Sequence, residues 1–116
     1  MARVVAFIPD LLFGSNVVGA LSAAGHEVQL VSDPAAAVAE GTDVVVVDLT
    51  ADAGDRIARV AALDLRGART LAFYSHVEAG VRDAAQRAGL DLVVPRSRMN
   101  REGAELVTRL ASDAGA

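Results

Sequence analysis

Asp48 is the carboxylate best placed to do chemistry: it ends the run Asp43-Val44-Val45-Val46-Val47-Asp48 and is followed by Leu49-Thr50 and Asp52. A β-branched run this short and unbroken, fenced by acids, suits a central parallel strand buried on both faces better than an alternating surface strand. In open α/β sheets, ligands and reacting groups collect at the carboxyl ends of strands, so an acid there is the first residue to question. Asp10, after the apolar run Val4-Val5-Ala6-Phe7-Ile8 and Pro9, is either the N-cap of the following helix or a second acid at the same end of the sheet. Ser75 opens Ser75-His76-Val77-Glu78, which has the spacing of a capping box. Arg96, Arg98 and Arg101 follow the last apolar run closely. On a loop face they could hold a phosphate or a partner's carboxylate, or stand solvated at a helix entry.

Other chemistries find little support. Gly14-Ser15-Asn16 could belong to a phosphate loop after the first strand, but Pro9-Asp10-Leu11-Leu12 is apolar and acidic where the phosphate would lie. There is also no G-x-G-x-x-G. None of the serines stands in a G-x-S-x-G elbow. His26, at the start of strand two on one edge, and His76, just after strand four beyond the centre, are too far apart to share a zinc ion. The chain has no cysteine, which removes disulfides, thiolate catalysis and cysteine metal sites. Every basic residue is arginine, so a lysine-ended phosphate loop, a Schiff-base lysine and a pyridoxal enzyme are excluded.

The formal net charge is -4 with no basic stripe, which argues against nucleic acid or an anionic membrane as partner. The opening Met1-Ala2-Arg3 runs straight into a short apolar stretch stopped by Pro9-Asp10, too short for a signal peptide, and no apolar run could span a bilayer. A cytoplasmic protein is expected.

The elements that must position these residues alternate. Strand one spans Arg3 to Ile8, and helix one runs from about Leu11 to Ala24, with Phe13, Val17, Ala20, Leu21 and Ala24 inward and Gly25 ending it. Strand two, His26 to Val31, is half polar, as an edge strand would be. Ser32-Asp33-Pro34 starts a short second helix closed by Gly41. After the valine strand, helix three covers Asp52 to about Leu65, with Ile57, Val60, Ala61 and Leu63 inward and Asp55, Arg56 and Arg59 outward. Strand four is Arg69 to Tyr74. Helix four runs from the Ser75 box to Ala88, with Val77, Val81, Ala84, Ala85 and Ala88 inward and Gly89 ending it. Strand five is Leu92 to Pro95, and helix five spans Asn100 to about Ala114 with Leu106, Val107 and Leu110 inward. With 116 residues and no linker or repeat, residues 1–116 form one domain. Right-handed crossovers then give a single doubly wound, five-stranded parallel sheet of order 2-1-3-4-5, a flavodoxin-like three-layer sandwich. Burying the four valines contributes at most about 6 kcal/mol.

The five-fold alternation with an acid ending strand three resembles the receiver domain of bacterial response regulators (the CheY-like domain) over almost the whole chain. The resemblance implies that Asp48 stands at the phosphoacceptor position. Asp10 stands for one member of the acidic pair that holds Mg²⁺, the other being replaced by Pro9 or Ile8. Ser75, or Tyr74 in a shifted register, takes the switch-hydroxyl position. Arg96 takes the place of a lysine, with proline preceding the basic residue instead of following it. Asp10 and Asp48 are then the only metal-site acids, and Mg²⁺ the only cofactor implied. The expectation is a degenerate, stand-alone pseudo-receiver: a non-enzymatic signalling module that docks a protein partner through helix four, strand five and helix five, with a homodimer as a further arrangement. The alternatives are a flavin- or nucleotide-binding flavodoxin-like domain, and an active receiver phosphorylated at Asp48.

Overall fold

Four consecutive valines with no polar interruption have one comfortable home, the middle of a sheet covered on both sides, and that is where they lie. In the computed structural model, which describes residues 1–75 and 78–114, the strands are β1 (Arg3–Phe7), β2 (Glu27–Val31), β3 (Val44–Asp48), β4 (Arg69–Tyr74) and β5 (Leu92–Pro95). All pair in parallel in the order β2-β1-β3-β4-β5, as expected from the sequence. Every residue of β3 is buried, whereas β2 at the edge is only partly covered.

Side chains alternate across the sheet and so build two cores. Val44, Val46, Leu71 and Phe73 face a layer formed by α1 (Leu11–Ala23) and α4 (Arg96–Ala114), meeting Phe13, Val17, Leu21, Met99, Leu106 and Val107. Val45, Val47, Ala72 and Tyr74 face α2 (Ala53–Ala61) and α3 (Ala79–Arg87), meeting Ile57, Val60 and Ala85.

Helix ends follow local chemistry. Asp10 caps α1, its Oδ1 accepting from the Phe13 N–H at 3.0 Å. Gly25, at φ +92°, closes the helix: its N–H donates to the Ser22 carbonyl and that of His26 to the Leu21 carbonyl. Gly89 ends α3 through the same pair of bonds, to Gln86 and, from Leu90, to Ala85. Both exits are Schellman motifs, which need the left-handed residue that glycine supplies at least cost.

Several expectations are corrected. The second helix shrinks to one 3₁₀ turn, Pro34–Ala36, opened by Asp33 accepting from Ala35 N–H. α2 stops at Ala61, short of Leu65, because Asp64 turns its carboxylate onto the Arg66 N–H at 3.1 Å, a local bond that competes with helix. α3 begins at Ala79 with Glu78 at its N-cap, so Ser75 does not cap it. The expected capping box also involves His76 and Val77, which lie outside the described residues. α4 begins at Arg96 and not at Asn100, because burying Met99 anchors an extra turn beneath the sheet. Ala20, Ala24, Ala61, Ala84 and Ala88, expected inward, are exposed at the margins of their helices.

Candidate functional site

The polypeptide leaves β3 at Asp48 and enters α2 within five residues, through Asp52 in the left-handed region at φ +48°. Such a backbone costs a non-glycine residue about 1 kcal/mol or more. It sets the course of α2, whose first i-to-i−4 bond runs from Arg56 N–H to the Asp52 carbonyl at 3.0 Å.

Asp48 is 3% exposed. Its Oδ1 accepts from the Thr50 N–H at 2.8 Å and from the Thr50 hydroxyl at 2.6 Å, an Asx-type turn built on a two-residue spacing. Its Oδ2 faces Arg56 Nη1 at 3.5 Å, and the same nitrogen donates to the Asp48 carbonyl at 3.0 Å. The guanidinium also approaches the Phe7 ring, 6.0 Å from its centroid. The two side chains are only 11% and 4% exposed, so the pair is screened little by water and both its charges depend on each other. Arg56 therefore points inward, contrary to the outward position expected of it. Arg59 does lie at the surface, where the hydrogen-bonded Asp55 carboxylate holds its guanidinium above its ordinary pKa and Asp33 adds to the effect.

The other candidates are engaged elsewhere. Asp10 is spent on the α1 cap. No hydrogen bond or ion pair joins it to Asp48, and no group of three or more His, Cys, Asp or Glu that could hold a metal occurs among the described residues. Arg96 stacks on Phe13, its guanidinium carbon 4.3 Å from the ring centroid, and Phe13 in turn packs on Phe73 at 5.0 Å. Arg98 pairs with Glu102 one turn along α4, and Arg101 reaches the same carboxylate at 3.9 Å. The three arginines thus ride on a helix and not on a loop. Ser75 is half-buried after β4, its carbonyl accepting from the Glu78 N–H.

Gly14 lies inside α1, so no loop exists there to cradle a phosphate. A Cβ at this position would meet the Leu30 methyls at 2.9 and 3.0 Å and the Ile8 carbonyl at 3.3 Å, which gives the glycine a packing reason. His26 is buried far from the site, accepting from Ala2 N–H at Nδ1 and meeting Thr108 Oγ1 from Nε2 at 2.9 Å. His76 lies outside the described residues.

Mg²⁺ demands near-octahedral oxygen ligation, normally with one or two free carboxylates and several waters. Here Asp48 Oδ1 already accepts two hydrogen bonds, the Arg56 guanidinium stands against Oδ2, and Asp10 Oδ1 is committed to a backbone amide. The residues present do not fit the ion.

No protein-family model and no curated protein matches the chain. Solved structures do. The receiver domain of a Francisella response regulator superposes with a TM-score of 0.81 at 14% identity, covering 97% of this chain and 98% of that one. The fold is that of response-regulator receiver domains. NtrX from Brucella abortus, solved in complex with ADP, gives a TM-score of 0.82 at 18% identity over 99% of this chain and 28% of its own. A putative pilus assembly-related protein from Burkholderia pseudomallei gives 0.78 at 18% identity, covering 97% of this chain and 90% of that one. Set on the receiver fold, the chain carries its buried cation on α2, at Arg56, and not after β5, where Arg96 was expected to supply it. Sequence reasoning missed Arg56 and Thr50. The available signals were the Asp-x-Thr spacing and the placement of Arg56 four residues before Val60, on the margin of the inward stripe.

Proposed function

We propose that the chain is a receiver-fold signalling and protein-interaction module that has replaced Mg²⁺-dependent phosphoryl acceptance with a fixed internal ion pair. The observation that carries this reading is Arg56 on Asp48. Phosphoryl transfer to a carboxylate needs a free oxygen lone pair as nucleophile and a metal ion to neutralise charge developing on the phosphoryl oxygens. Thr50 occupies one carboxylate oxygen with two donors, and a guanidinium stands against the other. Arg56 supplies the countercharge that a metal would bring, but its fork cannot coordinate a phosphoryl oxygen and the acid together as a bridging ion does.

With Asp48 structural, the module acts without catalysis of its own, in the cytoplasm, by presenting a surface. The face formed by α3, β5 and α4 is the proposed site for a protein partner. Arg82, Asp83, Gln86 and Arg87 are exposed there on α3, giving both signs of charge for selecting a partner. No helix among the described residues is long and apolar enough to cross a membrane.

The test is incubation of the purified chain with acetyl phosphate and Mg²⁺, read by intact mass. The unmodified mass is expected. A stoichiometric phosphoryl adduct that disappears in Asp48→Asn would establish an active receiver instead.

A further inference from the structure

The crossover from β2 to β3 is too short to carry the helix that a doubly wound sheet places there. It makes one 3₁₀ turn, Pro34–Ala36, and runs on to Val44 without further helix. Beneath it the sheet keeps an open trough of about 480 Å³, lined by Arg3, Val5, Glu27, Gln29, Glu40 and Thr42. That volume is within the range of cavities that take ligands.

The trough borders β2, the outer strand of the sheet. Glu27 N–H donates to the Ala2 carbonyl, and along a parallel ladder the backbone groups of alternate residues turn the same way. Glu27, Gln29 and Val31 therefore bond to β1, while the N–H and C=O groups of Val28 and Leu30 point away from the sheet. No other segment among the described residues bonds them. The opposite edge is blunted, since β5 has four residues and ends in Pro95. β2 has five residues in unbroken register, with no proline and no bulge. Its two sides differ. Val28 and Leu30 pack at the margin of the core on the α1 side, whereas Glu27 and Gln29 are exposed on the trough side. Arg3 meets Glu27 at 3.4 Å, and Glu40 makes no ion pair among the described residues, so the trough carries one carboxylate in excess.

We propose that β2 takes up an extended segment of a protein partner as a sixth strand, with apolar side chains beside Val28 and Leu30 and alternating basic side chains in the trough, against Glu27 and Glu40. Main-chain bonds to Val28 and Leu30 supply the affinity, and the trough selects the side chains. Charge decides the occupant: an acidic segment meets the surplus carboxylate, and a basic one neutralises it. This edge lies across the sheet from the α3–β5–α4 face, so the inference does not rest on the function proposed above.

The full chain, labelled with nitrogen-15, is titrated with a blocked peptide of alternating lysine and valine. Saturable shifts centred on Val28 and Leu30, with slowed exchange of their amide protons, are expected at millimolar peptide. Two further peptides are N-methylated, one on every valine and one on every lysine. Only one of these two sets of N–H groups faces β2, so one peptide is expected to bind at least ten-fold more weakly than the other. A peptide with glutamate in place of lysine is also expected to bind at least ten-fold more weakly than the lysine peptide. Absence of saturable shifts at Val28 and Leu30, equal binding of the two methylated peptides, or equal binding of the glutamate peptide would overturn the proposal.

Discussion

Arg56 reaches from the first turns of α2 back onto the acid that ends β3: its Nη1 stands 3.5 Å from Asp48 Oδ2 and donates to the Asp48 carbonyl at 3.0 Å. One cation thus neutralises the carboxylate and ties off the last backbone acceptor of the strand. In a sheet of this topology the mouth above β3 is where a ligand would be met. Here it is filled from within by the chain's own side chain.

If Asp48 is committed to Arg56 and Thr50, a divalent ion has no open carboxylate to enter. Titration with millimolar Mn²⁺, followed by paramagnetic broadening of amide signals, is expected to leave Leu49 and Thr50 no more broadened than surface acidic sites such as Asp83. Saturable broadening centred on Leu49 and Thr50 would show a metal site there.

Asp10 is a cap. Asp10→Ala is expected to lower stability by about 1 kcal/mol in urea, through the midpoint and not the slope, while Asp10→Asn stays within about 0.5 kcal/mol because asparagine caps equally well. An asparagine variant as damaging as the alanine would mean that the negative charge itself is used.

Gly14 is held by close packing against Leu30 and Ile8. Despite the better helix propensity of alanine, Gly14→Ala is expected to cost about 1–2 kcal/mol, since overfilling a packed contact outweighs that gain. A neutral or stabilising outcome would mean that Leu30 moves aside freely.

The tautomer of His26 is dictated by its neighbours. Ala2 N–H points at Nδ1, and the Thr108 hydroxyl already donates to the Ala104 carbonyl at 3.0 Å, so Thr108 must accept from Nε2–H. Nitrogen-15 chemical shifts of the neutral ring should report the Nε2–H form. Thr108→Val, which leaves that N–H without its acceptor, is expected to cost about 1–2 kcal/mol in urea denaturation. An Nδ1–H ring would contradict the geometry.

The fold was legible because its signals are local. The valine run could only be a central strand, Arg69–Tyr74 and Leu92–Pro95 carry their own boundaries, and Gly25 and Gly89 mark left-handed exits that few other residues would accept. Asp48 and the Asp10 cap were legible for the same reason. Arg56 was not: an arginine beside Asp55 on an amphipathic helix reads as solvent-facing. Its place four residues before Val60 sets it at the margin of the inward stripe, and with the left-handed turn at Asp52 leading into α2 its guanidinium reaches the Asp48 carbonyl. Arg96 was misplaced on a loop because Pro95 reads as a break, while burial of Met99 starts the helix at once.

The central claim, that Asp48 is a structural partner of Arg56, is tested most directly by a double-mutant cycle of Asp48→Asn and Arg56→Met in urea denaturation. Each single variant strands a nearly buried partner, and Arg56→Met is expected to cost about 2 kcal/mol or more. The double variant removes both charges, so it should be less damaged than the sum of the singles, with a coupling of about 1–3 kcal/mol. Costs that add to within about 0.5 kcal/mol would mean that the two residues do not act as a pair, and would contradict the account.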